Sequence, residues 1–239
     1  MQAKDNKRIF LLSPANAGGW RAQTILNGRS RSDLAKKLRS ERGATVAEVF
    51  TFLSGLYFRG KIAYANAFAH PANGIPGAFV ITPTRGLVDA KKRIRLEDLR
   101  EFAGAKIDEN DSRYRRPLER DAKQLAKKLS PQTDVVLLGS IASGKYVKVL
   151  LAILKERLRF PADFVARGDM SRGGLLLRCA VDRQELQYIG VEGAVVNGKR
   201  PAKLVPRRYS NNGGKKPVRS PSVRLAQNYF ASQANVGLS

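Results

Sequence analysis

Three short apolar runs divide the chain and predict buried β-strands. They cover residues 8–13 (RIFLLS), 78–82 (AFVIT) and 134–138 (DVVLL), and each is followed by a proline or a glycine. Nearly every position in these runs is apolar, which is typical of parallel strands that are covered on both faces. Two further strands are predicted at 174–179 and 185–191, joined as a hairpin.

Helical periodicity occupies the segments between the strands. Over residues 45–70, apolar side chains recur at spacings of three and four, and Gly60 predicts either two helices or one broken helix. Further helices are predicted at 96–102, 116–129 and 145–158. Strands that alternate with helices predict an α/β fold, here a single domain with a mostly parallel central sheet flanked by helices.

The composition changes after residue 192. Residues 193–239 contain nine Lys and Arg but no Asp or Glu, with Pro, Gly, Ser and Asn between them. We therefore predict an α/β domain at 1–192 and a basic C-terminal extension at 193–239 that is extended or disordered in isolation. Four residues of this tail are candidate nucleic-acid contacts: Lys199, Arg200, Arg207 and Arg208.

The chain as a whole is strongly basic. Lys and Arg number 44 against 20 Asp and Glu in 239 residues, which gives a formal net charge of +24. Removing the nine charges of the tail leaves +15 on residues 1–192, so the domain is basic by itself. Such a field attracts polyanions, and neutralised phosphates release counterions, so nucleic acid is the expected partner. An anionic membrane surface and an acidic protein partner are the alternatives.

Composition also excludes several classes of protein. One cysteine, Cys179, excludes a disulfide framework and a cysteine-rich zinc site, and one histidine, His70, excludes mechanisms that need a histidine pair. No apolar run approaches the about 18 residues of a membrane span, and the charged N-terminus lacks the apolar stretch of a signal peptide. We therefore expect a soluble cytoplasmic protein that does not bind a membrane.

A glycine-rich turn follows the third strand. Residues 139–145 (GSIASGK) have the spacing G-x4-G-K between a strand and a helix, where backbone N–H groups can bind phosphate. Tyr146 stands where a nucleoside triphosphatase needs Ser or Thr to hold magnesium, so a simpler anion site or a structural turn is favoured. Ser140, Gly144 and Lys145 are the candidate phosphate-binding residues of this turn.

Residues 160–174 (FPADFVARGDMSRGG) form a second glycine-rich segment. Arg167 and Arg172 are candidate phosphate contacts, because guanidinium groups bind phosphate bidentately. Asp169 lies between them and is a candidate acid or base. A surface loop with an ion cluster is the alternative interpretation.

Aromatic and basic residues alternate at 57–61 (YFRGK). Arg59 and Lys61 are candidate phosphate contacts beside aromatic rings that would stack on bases, although the same spacing is typical of a helix core. Arg85 follows the strand at 78–82, at the carboxyl end where open α/β sheets bind ligands.

Carboxylates precede the helix predicted at 116–129. Asp108 and Asp111 can hold a metal ion, as paired carboxylates do in nucleases, but we favour turn and N-cap roles for them. Asp108 stays a candidate acid or base, and the sequence predicts no metal site and no cofactor. Ser13 and Asn16 follow the first strand and can reach the same crevice, but no G-x-S-x-G motif supports Ser13 as a nucleophile.

Several of these segments, taken in order, resemble an uncharacterised bacterial α/β family: LLSPAN, LYFRGKIAYANAF, ITPTRGLV, VVLLGSIASGKYV and FPADFVARGDMSRGG. The chain is more distantly similar to the YaaA-like proteins and to accessory domains of 7-deazaguanine modification enzymes. Its VVLLG strand is similar to the core of the uracil-DNA glycosylase fold, whose catalytic motifs are absent; residues 70–72 (HPA) are nearest to its HPS triplet. The resemblance covers about residues 8–190 and implies one α/β domain that acts on or near DNA or RNA, in nucleic-acid modification or genome defence.

These observations favour a nucleic-acid-binding protein of a DNA- or RNA-processing, modification or defence system, with other protein subunits as candidate partners. The alternatives are an enzyme that acts on a nucleotide or nucleic-acid base and a structural subunit of a nucleoprotein assembly. A pocket beside residues 139–144 that holds a strongly perturbed carboxylate would favour the enzyme. A shallow basic groove would favour simple binding.

Overall fold

The three apolar runs form the centre of a larger sheet, which confirms the predicted α/β fold. The computed structural model describes residues 7–142, 144–195, 198, 201, 202 and 204. In chain order the strands are β1 (Arg8–Leu12), β2 (Ala44–Thr45), β3 (Ala78–Thr82), β4 (Gly86–Asp89), β5 (Arg93–Ile94), β6 (Asp134–Leu138), β7 (Leu158–Pro161) and β8 (Tyr188–Gly190).

The main sheet has six strands in the order β4-β3-β1-β6-β7-β8, and β2 pairs with β5 separately. The four central strands are parallel, and β4 and β8 run antiparallel at the two edges. The side chains from Ile9 to Leu12 in β1 are fully buried. This burial explains why the central runs lack the alternation of polar and apolar residues that a half-exposed strand shows.

Helices flank this sheet. They are α1 (Trp20–Leu26), α2 (Asp33–Arg39), α3 (Val46–Ser54), α4 (Leu56–Phe68), α5 (Leu96–Ala103), α6 (Ser112–Lys128), α7 (Gly144–Leu154) and α8 (Asp169–Asp182). Short 3-10 turns cover Lys155–Arg157 and Ala162–Phe164. Helix α4 packs against α8, and α6 packs against α7. Within the described residues, no helix combines the length and the apolar character that crossing a bilayer requires.

The break in the helical segment at 45–70 lies at Gly55, not at Gly60. Gly55 has a φ of 65°, a left-handed conformation that glycine adopts without strain, and it separates α3 from α4. Gly60 lies inside α4 and is buried against Gly173 of α8. A glycine that allows two helices to approach closely has the same sequence signature as one that ends a helix.

The C-terminal part of the domain differs most from the prediction. The helix predicted at 145–158 ends at Leu154, and Leu158 begins the unpredicted strand β7. The strand predicted at 174–179 is part of helix α8, so the predicted hairpin is wrong. Strand β8 lies within the predicted segment 185–191 but pairs with β7. Gly173, which belongs to the predicted glycine-rich segment, instead allows α8 to approach α4 closely.

The strand order creates a topological switch point between β1 and β6. The chain leaves β1 for β3 on one side, whereas β6 lies on the other side and is followed outward by β7. In open α/β sheets, the loops at the carboxyl ends of such strands diverge and leave a crevice that binds ligands. The loops after Leu12 and Leu138 therefore border the place where a functional site is expected.

The chain divides into two units, residues 1–201 and 202–239. The elements described above belong to the first unit, and of the second unit only Ala202 and Leu204 are described. The predicted boundary at residue 192 and the extended character of the tail stay predictions. The tail residues proposed to contact nucleic acid, Lys199, Arg200, Arg207 and Arg208, lie outside the described residues.

Candidate active site

An open crevice of about 1270 Å³ lies at the switch point. The loops after β1, β3 and β6 border it, together with α4 and the first residues of α7 and α8. Its polar lining includes several residues that the sequence singled out: Ser13, Asn16, Lys61, Asp108, Ser140, Lys145, Tyr146 and Asp169. Cavities that bind drug-sized ligands have about 300–1,000 Å³, so this crevice has room for a nucleotide with flanking groups.

A buried lysine and a serine are hydrogen-bonded at the floor of the crevice. The Lys61 ammonium, from the middle of α4, donates to Ser13 Oγ at 2.6 Å and to the Ser13 carbonyl oxygen at 3.1 Å. Lys61 is only 1% exposed and Ser13 is 6% exposed. The Ser13 N–H donates to the Leu138 carbonyl oxygen at 3.2 Å, which holds this serine between β1 and β6.

Burial alters the acid–base behaviour of this lysine. Because desolvation disfavours the ammonium, it lowers the pKa of Lys61 to about 7, with Asp169 opposing the change and Arg172 reinforcing it. The Lys61 Nζ also lies 3.9 Å from the centroid of the Tyr57 ring, which stabilises the charged form. In the described part of the chain, the hydrogen bonds of Lys61 go to Ser13, and no carboxylate forms an ion pair with it. A substantial fraction of the amine is therefore neutral at physiological pH.

Gly139 provides the space in which Ser13 and Tyr146 meet. A Cβ at Gly139 would lie 2.7 Å from the Ser13 Cβ, 3.0 Å from Ser13 Oγ and 2.9 Å from the Tyr146 hydroxyl. That hydroxyl donates to the Ser140 carbonyl oxygen at 2.8 Å. Burial raises the pKa of Tyr146, and its proximity to Ser13 opposes the rise. Serine, lysine and tyrosine side chains from three separate elements thus converge on one point.

The rim of the crevice carries exposed charges. Lys106 and Lys145 line it as exposed cations, and Ser140 and Gly144 lie beside them. Asp108 lines the same rim, and its Oδ1 accepts the Asn110 N–H at 3.0 Å, as in a turn. The lining therefore carries charges of both signs, with Lys106 and Lys145 as the cations that an anionic ligand can contact and Asp108, Glu109 and Asp169 as carboxylates.

The cap role predicted for Asp111 is confirmed, because its side chain accepts the Arg113 N–H at the start of α6. Among the described residues, no three Asp, Glu, His or Cys side chains are grouped so as to hold a metal ion.

The two arginines of residues 160–174 form hydrogen bonds with neighbouring groups of the protein. Arg172 donates to the Phe164 carbonyl oxygen at 2.8 and 3.2 Å and lies 3.5 Å from Asp169, with its side chain 12% exposed. Arg167 donates to the Asp163 carbonyl oxygen and to Ser171. Of this segment only Asp169 lines the crevice. Substituting Arg172 would therefore loosen the fold as well as remove a charge.

Two other predicted contacts lie apart from the crevice. Arg85 is paired with Asp98 at 2.6 Å and with Glu101, and it borders a separate cavity of about 400 Å³. Arg59, on α4, is half-buried and does not line the crevice. The crevice thus unites Lys61, Ser140, Gly144, Lys145, Asp108 and Asp169, but leaves Arg59, Arg85, Arg167 and Arg172 outside.

The pairing of Ser13 with Lys61 is the feature that the sequence did not show. The two residues lie 48 positions apart, and Lys61 was expected to contact phosphate at the surface. One signal was present: the helix face of Lys61 is otherwise apolar or aromatic, with Tyr57, Phe58, Tyr64 and Ala65 three and four residues away. A charged residue at a core position of an amphipathic helix must find a buried partner.

We compared the chain with protein-family models, with curated proteins and with solved structures. None of them matches it, so the chemistry of the crevice has to be inferred from the residues that line it.

Proposed function

We propose that the protein is an enzyme that acts on a nucleotide unit, either free or within DNA or RNA, in the crevice at the switch point. The observation that supports this most is the buried Lys61–Ser13 pair on the floor of an open cavity. A simple nucleic-acid-binding surface needs exposed lysines, not a buried one whose desolvation destabilises the fold. Reactive sites are where such altered acid–base groups concentrate.

The charge of the molecule favours a nucleotide over a neutral substrate. The net charge of +24 attracts polyanions, and Lys106 and Lys145 line the crevice as cations that can contact phosphate, beside acidic side chains. The sequence favoured a carboxylate as the altered acid–base group, with Asp169 and Asp108 as candidates. In our proposal the altered acid–base group is Lys61, and the nearby Asp169 acts to raise its pKa.

The crevice is also close to a natural fluorescent reporter. Trp20 is the chain's one tryptophan, is 72% exposed, and follows directly on the crevice loop at residues 13–18. A ligand that occupies the crevice is therefore expected to change its emission. Titration with a single-stranded oligonucleotide and with mononucleotides measures binding without a label.

Replacing Lys145 with alanine tests whether phosphates bind at the crevice. Each phosphate contact on a single strand adds about 0.7 to the slope of log Kobs against log salt, so this variant is expected to lower the slope by about that amount. The matched control is Lys36→Ala on α2, which removes the same charge from an exposed side chain that does not line the crevice. Equal effects of the two substitutions would show that oligonucleotides bind by net charge alone, and would contradict the proposal.

A further inference from the structure

We infer that Ser13 is a nucleophile, activated by Lys61 as its general base, that attacks a phosphate ester. The choice of a phosphoryl centre rests on the proposed nucleotide function, whereas the nucleophile–base pair rests on the geometry of the crevice floor. A nucleophile with its base at hydrogen-bond distance is the arrangement that hydroxyl nucleophiles require, and serine–lysine pairs are a known variant of it.

The positions of the two side chains suit these roles. Ser13 lines the crevice with 6% of its surface exposed, and Lys61 Nζ lies 2.6 Å from its Oγ. The second hydrogen bond of Lys61, to the Ser13 carbonyl oxygen, fixes the amine beside the hydroxyl. Gly139 keeps the space next to Ser13 Oγ free of a side chain. The serine is thus held by the backbone of two strands, and the base is held by the serine.

The surroundings keep the lysine able to accept a proton. The titratable and charged groups that face it are Tyr57 on α4, Tyr146 on α7, and Asp169 and Arg172 on α8. Asp169 is 70% exposed at the start of α8, so its charge is screened by solvent, and it also lies 3.5 Å from Arg172. Burial therefore dominates, and the pKa of Lys61 lies at about 7. A base poised near the operating pH transfers protons most effectively.

The proposed reaction has two balanced steps. In the first, Ser13 Oγ attacks phosphorus, its proton moves to the neutral Lys61 amine, and the bond from phosphorus to the ester oxygen breaks. The Lys61 ammonium gives that proton to the departing oxygen, which leaves as an alcohol. In the second step water attacks the phosphoserine, a water proton passes through Lys61 to Ser13 Oγ, and inorganic phosphate or a shorter phosphate ester is released.

The net charge of +24 favours a phosphoryl centre over a carbonyl centre, because it attracts anionic substrates. Phosphoryl transfer proceeds through a transition state whose non-bridging oxygens carry negative charge and need cations beside them. Lys145 and Lys106 line the crevice beside the carboxylates of Asp108, Glu109 and Asp169, and Lys61 becomes an ammonium in the first step.

A neutral fluorophosphonate tests the nucleophile directly in the full-length protein. We expect Ser13 to be the modified residue when the labelled protein is digested and mapped by mass spectrometry. The labelling rate is expected to rise with pH with a midpoint near 7, because only the neutral Lys61 amine accepts the proton. Modification of another residue, or a wild-type rate that does not follow this midpoint, overturns the proposal. The pH profile needs no substitution, so it stands even if a variant fails to fold.

Two variants separate the roles of the pair. Ser13→Ala is expected to abolish labelling, and Lys61→Met is expected to slow it by about 100-fold or more, as the loss of a general base does. Lys36→Ala, which changes an exposed side chain outside the crevice, is expected to leave the labelling of Ser13 unchanged. Labelling of Ser13 without nucleotide binding would support the pair and contradict the proposed function. Nucleotide binding without labelling of Ser13 would support the proposed function and contradict the assignment of Ser13 and Lys61 as nucleophile and base.

Discussion

Replacing Lys61 with methionine is expected to flatten the dependence of stability on pH. In the folded protein the pKa of Lys61 is about 7, whereas an unfolded lysine titrates near 10.4. Between these values the unfolded chain binds more protons, so the free energy of unfolding of the wild type rises with pH, by about 1.4 kcal/mol per pH unit. Methionine does not titrate, and Lys61→Met lacks this rise.

The measurement is chemical denaturation of both proteins between about pH 7.5 and 9, over which the wild type is expected to gain roughly 2 kcal/mol relative to the variant. Above about pH 10 tyrosines also contribute to the dependence of the free energy of unfolding on pH. They ionise there in the unfolded chain, whereas burial raises the pKa of Tyr57 and of Tyr64 in the folded protein, that of Tyr64 to about 12. Parallel curves for the two proteins would show that Lys61 keeps an ordinary pKa in the fold.

The same substitution separates stability from reactivity. Methionine is unbranched and apolar, so it fits the buried stem of Lys61 without the cost of desolvating an ammonium. Near neutral pH we therefore expect Lys61→Met to be at least as stable as the wild type, although its labelling at Ser13 is slowed by about 100-fold or more. A stabilised but unreactive variant is the result expected of a group retained for chemistry.

The central strands could be predicted because local sequence decides them. Strands β1, β3 and β6 are apolar at nearly every position and end at proline or glycine, a pattern that few other structures produce. Strand β7 has only four residues and follows a helix without a turn signal, so the pattern there suggested a longer helix. Helix α8 contains paired glycines that lower helix propensity, and its contact with α4 overrides that preference.

Part of the candidate site could also be predicted, because some of its residues are neighbours in the sequence. Ser140, Gly144 and Lys145 were found because the crevice loop and its strand are neighbours in sequence. Arg85 follows a strand end as predicted, but its ion pair with Asp98 depends on how α5 packs and could not be predicted from the local sequence. The meeting of Ser13 with Lys61 depends on how α4 lies across β1, and no local pattern encodes that arrangement.

Gly60→Ala and Gly173→Ala are expected to destabilise the protein by about 2–3 kcal/mol each, although alanine favours an isolated helix by about 1 kcal/mol. A Cβ at Gly60 would lie 2.6 Å from the Gly173 carbonyl oxygen, and a Cβ at Gly173 would lie 2.8 Å from the Tyr57 Cα. These neighbours are backbone atoms, so the two helices must separate. Gly28→Ala is the control, because no atom lies within 4 Å of its Cβ, and it is expected to change stability by less than about 0.5 kcal/mol.

A separation of α4 from α8 is also expected to change the geometry at the floor of the crevice. Lys61 is the next residue after Gly60, so moving α4 lengthens the 2.6 Å hydrogen bond to Ser13 and admits water to the ammonium. We therefore expect the labelling rate at Ser13 to fall in Gly60→Ala, and its pH midpoint to move above 7 as the pKa of Lys61 returns toward its ordinary value. A variant that loses stability while keeping the wild-type midpoint would show that the position of Lys61 does not depend on this helix contact.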